Sequence, residues 1–164
     1  MNNKAILFTI FISVIVSLTS SCGFRLKGQY YLPGSLQTLY VSSERKFSPL
    51  ATQVKSHLMQ NRVKLVKSGA SNISELKILP ETFQRRSLSL FPNGQVAEYE
   101  LIYVANAELR QPKKDPVTFS VELTREFQDD PNNALAKQKE RELILSELRV
   151  IASERILAQL NTVQ

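Results

Sequence analysis

Apolar and polar side chains alternate along two stretches in the second half of the chain. Every second residue is apolar over positions 99–109, and the same period of two returns over positions 117–123. Such alternation is typical of strands that bury one face. Asn93-Gly94, which precedes the first stretch, predicts a hairpin turn, and the segment 111–116, rich in proline and charge, predicts a second turn. We therefore expect an antiparallel meander with one apolar face.

A helical period predicts a first helix earlier in the chain. Ser48 is a suitable N-cap, and Pro49 fits the first helical position, where its missing N–H group costs nothing. Apolar residues then recur at spacings of four, which places them in one stripe on the helix. These residues are Leu50, Val54 and Leu58.

A second helix is predicted at the end of the sequence. Asp130 and Pro131 repeat the pattern of a capping residue followed by proline, and the helix is expected to reach about Leu160. The charged stretch 137–142 is expected to face solvent. The expected inward stripe consists of Ala134, Leu135, Leu145, Leu148, Ile151, Ala152, Ile156 and Leu160.

The remaining extended segments complete the predicted fold. Residues 36–42 and 63–66 are short strand candidates, and residues 75–90 are extended with Pro80 at an edge or bulge position. The fold class predicted from this order is α+β. We expect a two-layer sandwich, with two helices packed on one face of a roughly four-stranded, largely antiparallel sheet.

An uncharged segment at the start of the sequence predicts export. Lys4 precedes the 14 uncharged residues 5–18, and small polar residues lead from there to Cys22. This apolar run is shorter than the roughly 20 residues that cross a bilayer, and it fits a cleaved secretory signal. Small residues followed by cysteine resemble a bacterial lipoprotein signal, which implies that the Cys22 thiol carries lipid.

The export signal gives a simple domain organisation. Residues 1–21 are the expected cleaved signal peptide, residues 22–34 a lipidated tether, and residues 35–164 a single α+β domain. Removing residues 1–21 takes away one charge, that of Lys4, so the net charge falls from +6 to +5. A basic protein suits an anionic partner such as nucleic acid, phospholipid or an acidic glycolipid.

The sequence offers little material for catalysis. It contains one His and one Cys, and no HExxH, CxxC or phosphate-binding glycine loop. We therefore expect no metal, no cofactor and no enzymatic activity. His57 borders a helix stripe and is expected to be a packing or surface residue, while Glu98 and Glu100 are expected to belong to a solvated strand face.

Four basic residues are expected near one end of the sheet. Arg85 and Arg86 precede the hairpin tip, Arg125 ends the last strand, and Lys137 lies early in the final helix. Export argues against nucleic acid as their partner. The anionic group that remains is lipid phosphate, as in the lipid A part of lipopolysaccharide.

Three stretches resemble one known family. They read "FPNGQVAEYEL", "TREFQDDPNNALAK" and "ERELILSELRVIASERIL", and they follow the Gly23-Phe24 pair behind the expected lipidated cysteine. Together they resemble LptE, the lipopolysaccharide-assembly lipoproteins of Gram-negative bacteria. The resemblance implies a plug inside the outer-membrane β-barrel LptD that helps this barrel assemble and binds lipopolysaccharide during delivery to the outer leaflet. It also implies anchoring on the periplasmic side of the outer membrane.

The resemblance also implies particular binding residues. Lys137 matches the lysine of the family's ALAK helix start, which resembles a lipopolysaccharide-contacting position. Some members carry an arginine before Asn-Gly, where this chain has Pro92, so Arg85 or Arg86 is expected to supply that charge. Arg125 matches an arginine in the family's last strand, and the resemblance assigns it no role.

An alternative stays open from the sequence. A free-standing envelope lipoprotein that serves as chaperone or carrier for another anionic lipid would share the lipid anchor and the basic charge. Such a carrier would need an apolar cavity, whereas a plug would need a barrel partner.

Overall fold

The computed structural model describes residues 32–163. Two 3₁₀ turns, Gly34–Leu36 and Pro131–Asn133, accompany six strands and two helices. In chain order these are β1 (Thr38–Ser43), α1 (Pro49–Gln60), β2 (Lys64–Val66), β3 (Ser74–Ile78), β4 (Thr82–Leu90), β5 (Val96–Arg110), β6 (Val117–Gln128) and α2 (Ala134–Leu160).

The strands form one mixed sheet. β1 lies between β2 and β3 and is parallel to both. β3 pairs antiparallel with the C-terminal part of β5, and β4 pairs antiparallel with its N-terminal part. β6 runs antiparallel along the other edge of β5.

The α+β class and the two helices are confirmed, and the expected sheet is matched in part: it has six strands instead of about four, and three of its five pairings are antiparallel while two are parallel. Helix α1 connects the end of β1 back to the end of the sheet at which β1 began, so β2 runs beside β1 in the same direction. The extended stretch 75–90 forms two strands, because Pro80 lies between them and cannot donate to a ladder. The predicted meander of β4, β5 and β6 is confirmed.

One face of the sheet forms the core. The cross-strand partners Tyr103 and Leu123, Ala105 and Val121, and Ala107 and Phe119 point to this face and are buried. Helix stripes from α1 and α2 belong to the same core cluster, so both helices cover this face. The opposite face is polar.

The expected stripe of α1 is confirmed. Ser48 accepts a hydrogen bond from the Ala51 N–H at 3.1 Å, and the three stripe residues are fully buried. His57 lies between the helices, with its Nδ1 atom 2.8 Å from the Ser153 hydroxyl, so it is a packing residue as expected.

Helix α2 follows its expected stripe only in its C-terminal half. Leu148, Ala152, Ile156 and Leu160 are buried, and Leu145 and Ile151 are partly buried against the core. The prediction that Ala134 and Leu135 point inward is wrong, because the helix begins beyond the core and both are exposed. Within residues 32–163 no helix has the length and apolar character needed to cross a bilayer.

Candidate functional site

The sheet continues past the part that the two helices bury. In this extension Leu101 and Phe127 are 0% and 4% exposed, yet neither belongs to the main core cluster. Leu101 lies directly between Arg85 on β4 and Arg125 on β6 in the pairing register. Long basic side chains can cover apolar surface with their methylene groups while the charge stays in water. A small apolar patch thus underlies the basic residues at this end.

Arg85 points to the face of the sheet that carries the helices. Its cross-strand partner is Leu101, and its guanidinium carbon lies 5.1 Å from the centre of the Tyr99 ring. A cation within about 6 Å of an aromatic face is attracted by the ring quadrupole. The strand register and this ring contact together place the Arg85 charge above β5.

Lys137 reaches the same face from the first turn of α2. Its Nζ atom lies 5.2 Å from the centre of the Phe127 ring and 2.9 Å from a carboxylate oxygen of Glu140. Phe127 is the direct cross-strand partner of Tyr99. Arg85 and Lys137, which come from different elements, therefore lie over two adjacent aromatic rings.

Asp130 caps the 3₁₀ turn Pro131–Asn133 that leads into α2, whereas α2 itself begins three residues later than expected, at Ala134, with Asn133 as an N-cap that makes no side-chain capping hydrogen bond. The Asp130 carboxylate accepts hydrogen bonds from the Asn132 N–H at 3.0 Å and from the Asn133 side chain at 2.6 Å. The Asn133 hydrogen bond, the Asn132 N–H and the positive charge of Lys137 hold the pKa of Asp130 below its ordinary value. These contacts order the 3₁₀ turn directly before the helix that carries Lys137.

Arg125 adds a third cation to this face. It is paired in register with Leu101, and its guanidinium lies 3.7 Å from a carboxylate oxygen of Glu147 on α2. We call Arg85, Arg125 and Lys137, with Tyr99 and Phe127 beneath them, the basic platform.

Arg86 does not belong to the basic platform. Its register partner is Glu100, with which it forms an ion pair on the polar face of the sheet. Successive strand residues point to opposite faces, so the two neighbouring arginines are separated. The expectation that both lie at one binding site is therefore not matched by the geometry, since Arg85 alone of the two shares a face with Lys137.

The polar face carries mixed charge. Glu98 accepts hydrogen bonds from Ser89 at 2.8 Å and from Gln128 at 3.4 Å. Its other cross-strand pairs include opposite charges, such as Lys77 with Glu108, and like charges, such as Glu100 with Glu126. The charged residues of this face include Glu75, Lys77, Arg86, Glu100, Glu108, Arg110, Glu122 and Glu126.

The hairpin tip closes the same end of the sheet. Gly94 has a φ of 83°, and the Phe91 N–H donates to the Gln95 carbonyl at 2.7 Å. The hairpin turn at Asn93-Gly94 is confirmed, but within the described chain Asn93 is not among the residues with positive φ. Pro92 is the second residue of the turn that the Gly94 N–H closes by donating to the Phe91 carbonyl at 2.9 Å, a position that suits its fixed φ.

Apolar side chains are exposed around this end. Leu90 near the tip is 62% exposed, and Leu135 in the first turn of α2 is 69% exposed. The end of β6 joins these elements, because the Asp129 N–H donates to the Ala97 carbonyl at 2.9 Å. Exposed apolar side chains therefore lie at the same end of the molecule as the basic platform.

A buried polar cluster lies between the basic platform and the core. The Arg149 guanidinium donates to both Glu81 carboxylate oxygens, and the Tyr103 hydroxyl donates to the same carboxylate at 2.6 Å. Burial raises the pKa of Glu81, but the hydrogen bonds from Arg149 and Tyr103 and the Arg149 charge outweigh it, and the pKa is lowered. Burial, followed by the Glu81 contact, raises the pKa of Tyr103.

Sequence reasoning did not assign a role to Tyr99 or Phe127. The period of two predicted that Tyr99 faces inward, but a core residue has the same pattern, so the sequence did not distinguish the two roles. Arg85, Tyr99 and Phe127 come together because β4 and β6 both pair with β5. Predicting this would require the exact register of the strands, and the pairing of β4 is irregular between Ser87 and Leu90. Among residues 32–163, no group of three or more His, Cys, Asp or Glu side chains is arranged to hold a metal ion.

Comparisons with known proteins give one consistent result. The profile of the family described as "LptE: Lipopolysaccharide-assembly" matches residues 36–160. The LPS-assembly lipoprotein LptE of Pectobacterium atrosepticum is 33% identical over 158 residues, which are 96% of this chain and 86% of that protein. Its counterpart in Photorhabdus laumondii is 32% identical over 157 residues, with the same two shares.

Solved structures agree in fold. The crystal structure of the rare lipoprotein B from Shewanella oneidensis has a TM-score of 0.69 and 36% identity, over 75% of this chain and 92% of that one. The solution structure of an uncharacterized lipoprotein B from Nitrosomonas europaea has a TM-score of 0.66 and 25% identity, over 85% and 90%.

Proposed function

The chain belongs to the LptE family of non-enzymatic lipopolysaccharide-assembly lipoproteins, and we propose that it binds lipopolysaccharide through the basic platform while it plugs an outer-membrane β-barrel of the LptD type. The observation that carries this proposal is the meeting of Arg85 and Lys137, from a strand and a helix, over two paired aromatic rings.

The basic platform suits the phosphate groups of lipid A. Lys137 and Arg85 can each donate charge-assisted hydrogen bonds to phosphate oxygens, and these are stronger than hydrogen bonds between neutral groups. The acids nearby, Glu140 and Glu147, are each about half exposed in their ion pairs with Lys137 and Arg125, although the Lys137 side chain itself is 22% exposed. Exposed ion pairs contribute little, so a phosphate can replace them at small cost.

The exposed apolar residues at the same end of the molecule as the basic platform suit acyl chains. Leu90 and Leu135 lie at the same end of the sheet as the cations and are largely exposed. Lipid A combines phosphates with acyl chains, so an amphipathic surface of this kind supplies a complementary group for each part. Neither a nucleic acid nor a simple anion would use the apolar residues.

The proposed location follows from the N-terminal segment, which lies outside the described residues. Cys22 carries the lipid that anchors the protein to the periplasmic side of the outer membrane. One acyl chain holds a protein only marginally, whereas two or more anchor it stably. The anchored domain then fills the lumen of the barrel, where its polar sheet face meets polar lumen side chains.

Substitution of Lys137 tests the binding site. Lys137→Asp removes the cation and sets a negative charge on the ring of Phe127, so the affinity for purified lipopolysaccharide should fall at least about tenfold. Lys139→Asp makes the same charge change at an exposed position on the same helix and should change affinity less than about twofold. Equal effects of the two substitutions would show that only net charge matters and would reject the site.

Purification from membranes tests the barrel partner. The lipidated protein should co-purify with an outer-membrane barrel and should form crosslinks to it from positions 92–94. The same experiment separates the alternative function, because a free-standing lipid carrier would elute alone and monodisperse. Elution without a barrel would contradict the plug proposal.

A further inference from the structure

Two aromatic side chains support the two cations of the proposed site. The Arg85 guanidinium carbon lies 5.1 Å from the centre of the Tyr99 ring, and Lys137 Nζ lies 5.2 Å from the centre of the Phe127 ring. Tyr99 and Phe127 are direct partners in the β5–β6 ladder. The Cβ atoms of such partners lie about 5 Å apart, so the two rings are adjacent supports on one face.

The rings are less exposed than Arg85: Phe127 is buried and Tyr99 is partly buried, whereas Arg85 is exposed and the Lys137 side chain is 22% exposed. Phe127 is 4% exposed, although it lies outside the main core cluster. Lysine and arginine side chains lose much rotamer freedom when a ligand fixes them. A ring that already holds such a side chain lowers this cost and so raises affinity.

We propose that Tyr99 and Phe127 are positioning residues that hold Arg85 and Lys137 side by side, so that the phosphate groups of the lipid meet two pre-ordered cations. This inference rests on the proposed lipopolysaccharide binding and names the part of the ligand that the pair recognises. On binding, Lys137 exchanges the Glu140 carboxylate for a phosphate oxygen while its contact with the ring persists.

Leucine and aromatic substitutions in the full-length lipidated protein test the role of the rings. Phe127→Leu keeps an apolar side chain but removes the π-face, and Tyr99→Leu does the same at the other ring. Each should weaken binding of bisphosphorylated lipid A by about three- to tenfold. Phe127→Tyr and Tyr99→Phe keep the rings and should bind within about twofold of the unsubstituted protein.

A spectroscopic measurement separates positioning from packing. The ε-methylene protons of Lys137 should resonate upfield in the unsubstituted protein, because they lie over the Phe127 ring. This shift should persist in Phe127→Tyr and disappear in Phe127→Leu. The matched control is Phe47→Leu, which removes the ring contact of Lys46 at 5.7 Å on the exposed loop before α1. It should leave lipid binding unchanged.

The outcomes separate a failure of this inference from a failure of the proposed lipopolysaccharide binding. If the two leucine variants bind as tightly as the unsubstituted protein while Lys137→Asp loses binding, the rings do not position the cations and the inference is wrong. The inference is also wrong if Phe127→Tyr loses as much affinity as Phe127→Leu, or if dephosphorylated lipid A binds equally well. If Lys137→Asp itself has no effect, the proposed binding site is what fails.

Discussion

Glu81 connects three elements through one carboxylate. It follows β3, accepts hydrogen bonds from Tyr103 on β5 and is clamped by Arg149 on α2. The side chains of Glu81 and Arg149 are 10% and 20% exposed. Ion pairs with so little exposure are costly to break, because the remaining charge stays desolvated.

Arg149→Met should therefore destabilise the protein. It leaves the Glu81 carboxylate with the Tyr103 hydroxyl as its remaining partner in this cluster, and we expect the free energy of unfolding to fall by about 2 kcal/mol. Urea denaturation at pH 7 measures this. Arg155→Met, which changes an exposed arginine on the same helix, should shift it by less than about 0.5 kcal/mol.

The same cluster predicts a pH dependence. The pKa of Glu81 in the folded protein lies below the ordinary value of 4.5, so its contribution is complete above that value and is lost as the pH falls through the folded pKa. The stability difference between the unsubstituted protein and Arg149→Met should shrink when denaturation is repeated at progressively lower pH below 4.5. A difference that stays constant would show that Glu81 is not the group responsible.

At the scale of single residues, the sequence suggested particular basic side chains but not where they point. Lys137 was suggested by the ALAK motif of the resembled family, and the structure puts it over Phe127. Arg85 and Arg86 are adjacent and chemically identical, and strand register alone separates them. Register depends on the irregular pairing near the hairpin, which no local pattern reveals.

At the scale of elements, the end of α1 shows a backbone conformation that its side chain does not favour. Arg62 has a φ of 62°, and the Val63 N–H donates to the Leu58 carbonyl at 3.0 Å. This is the left-handed helix end at which glycine is most common. A side chain at such a φ costs about 1 kcal/mol or more.

Arg62→Gly should consequently stabilise the protein by about 0.5–1 kcal/mol, because glycine adopts positive φ without steric cost. Lys55→Gly, at an exposed position inside the same helix, should destabilise it by about 1 kcal/mol. Thermal denaturation of both variants should show melting temperatures that move in opposite directions. If both fall, the end of α1 does not have this conformation.

Elements with local signals were predictable. The Ser48-Pro49 start of α1 and the period of two in β5 and β6 can each be recognised within about a dozen residues of sequence. The parallel pairing of β1 with β2 and β3 could not be predicted, because it joins short strands distant in the sequence. The exposed start of α2 was missed for a related reason. Leu135 has the spacing of a core residue, but the helix extends beyond the sheet area that it covers.

At the scale of the whole molecule, the two faces of the sheet have different roles. One face holds the helices and, beyond them, the basic platform, while the other carries both acids and bases. The fold thus places the basic platform and a polar sheet face on one small domain. In our account the first binds lipopolysaccharide and the second faces the lumen of the barrel.

The most direct test of this account compares two adjacent arginines. Arg85→Asp and Arg86→Asp have the same charge change on the same strand, but the substituted side chains point to opposite faces. Titration of each lipidated variant with bisphosphorylated lipid A should show affinity at least about tenfold lower for Arg85→Asp and within about twofold of the unsubstituted protein for Arg86→Asp. Equal losses, or a larger loss for Arg86→Asp, would contradict the assignment of lipopolysaccharide binding to the basic platform.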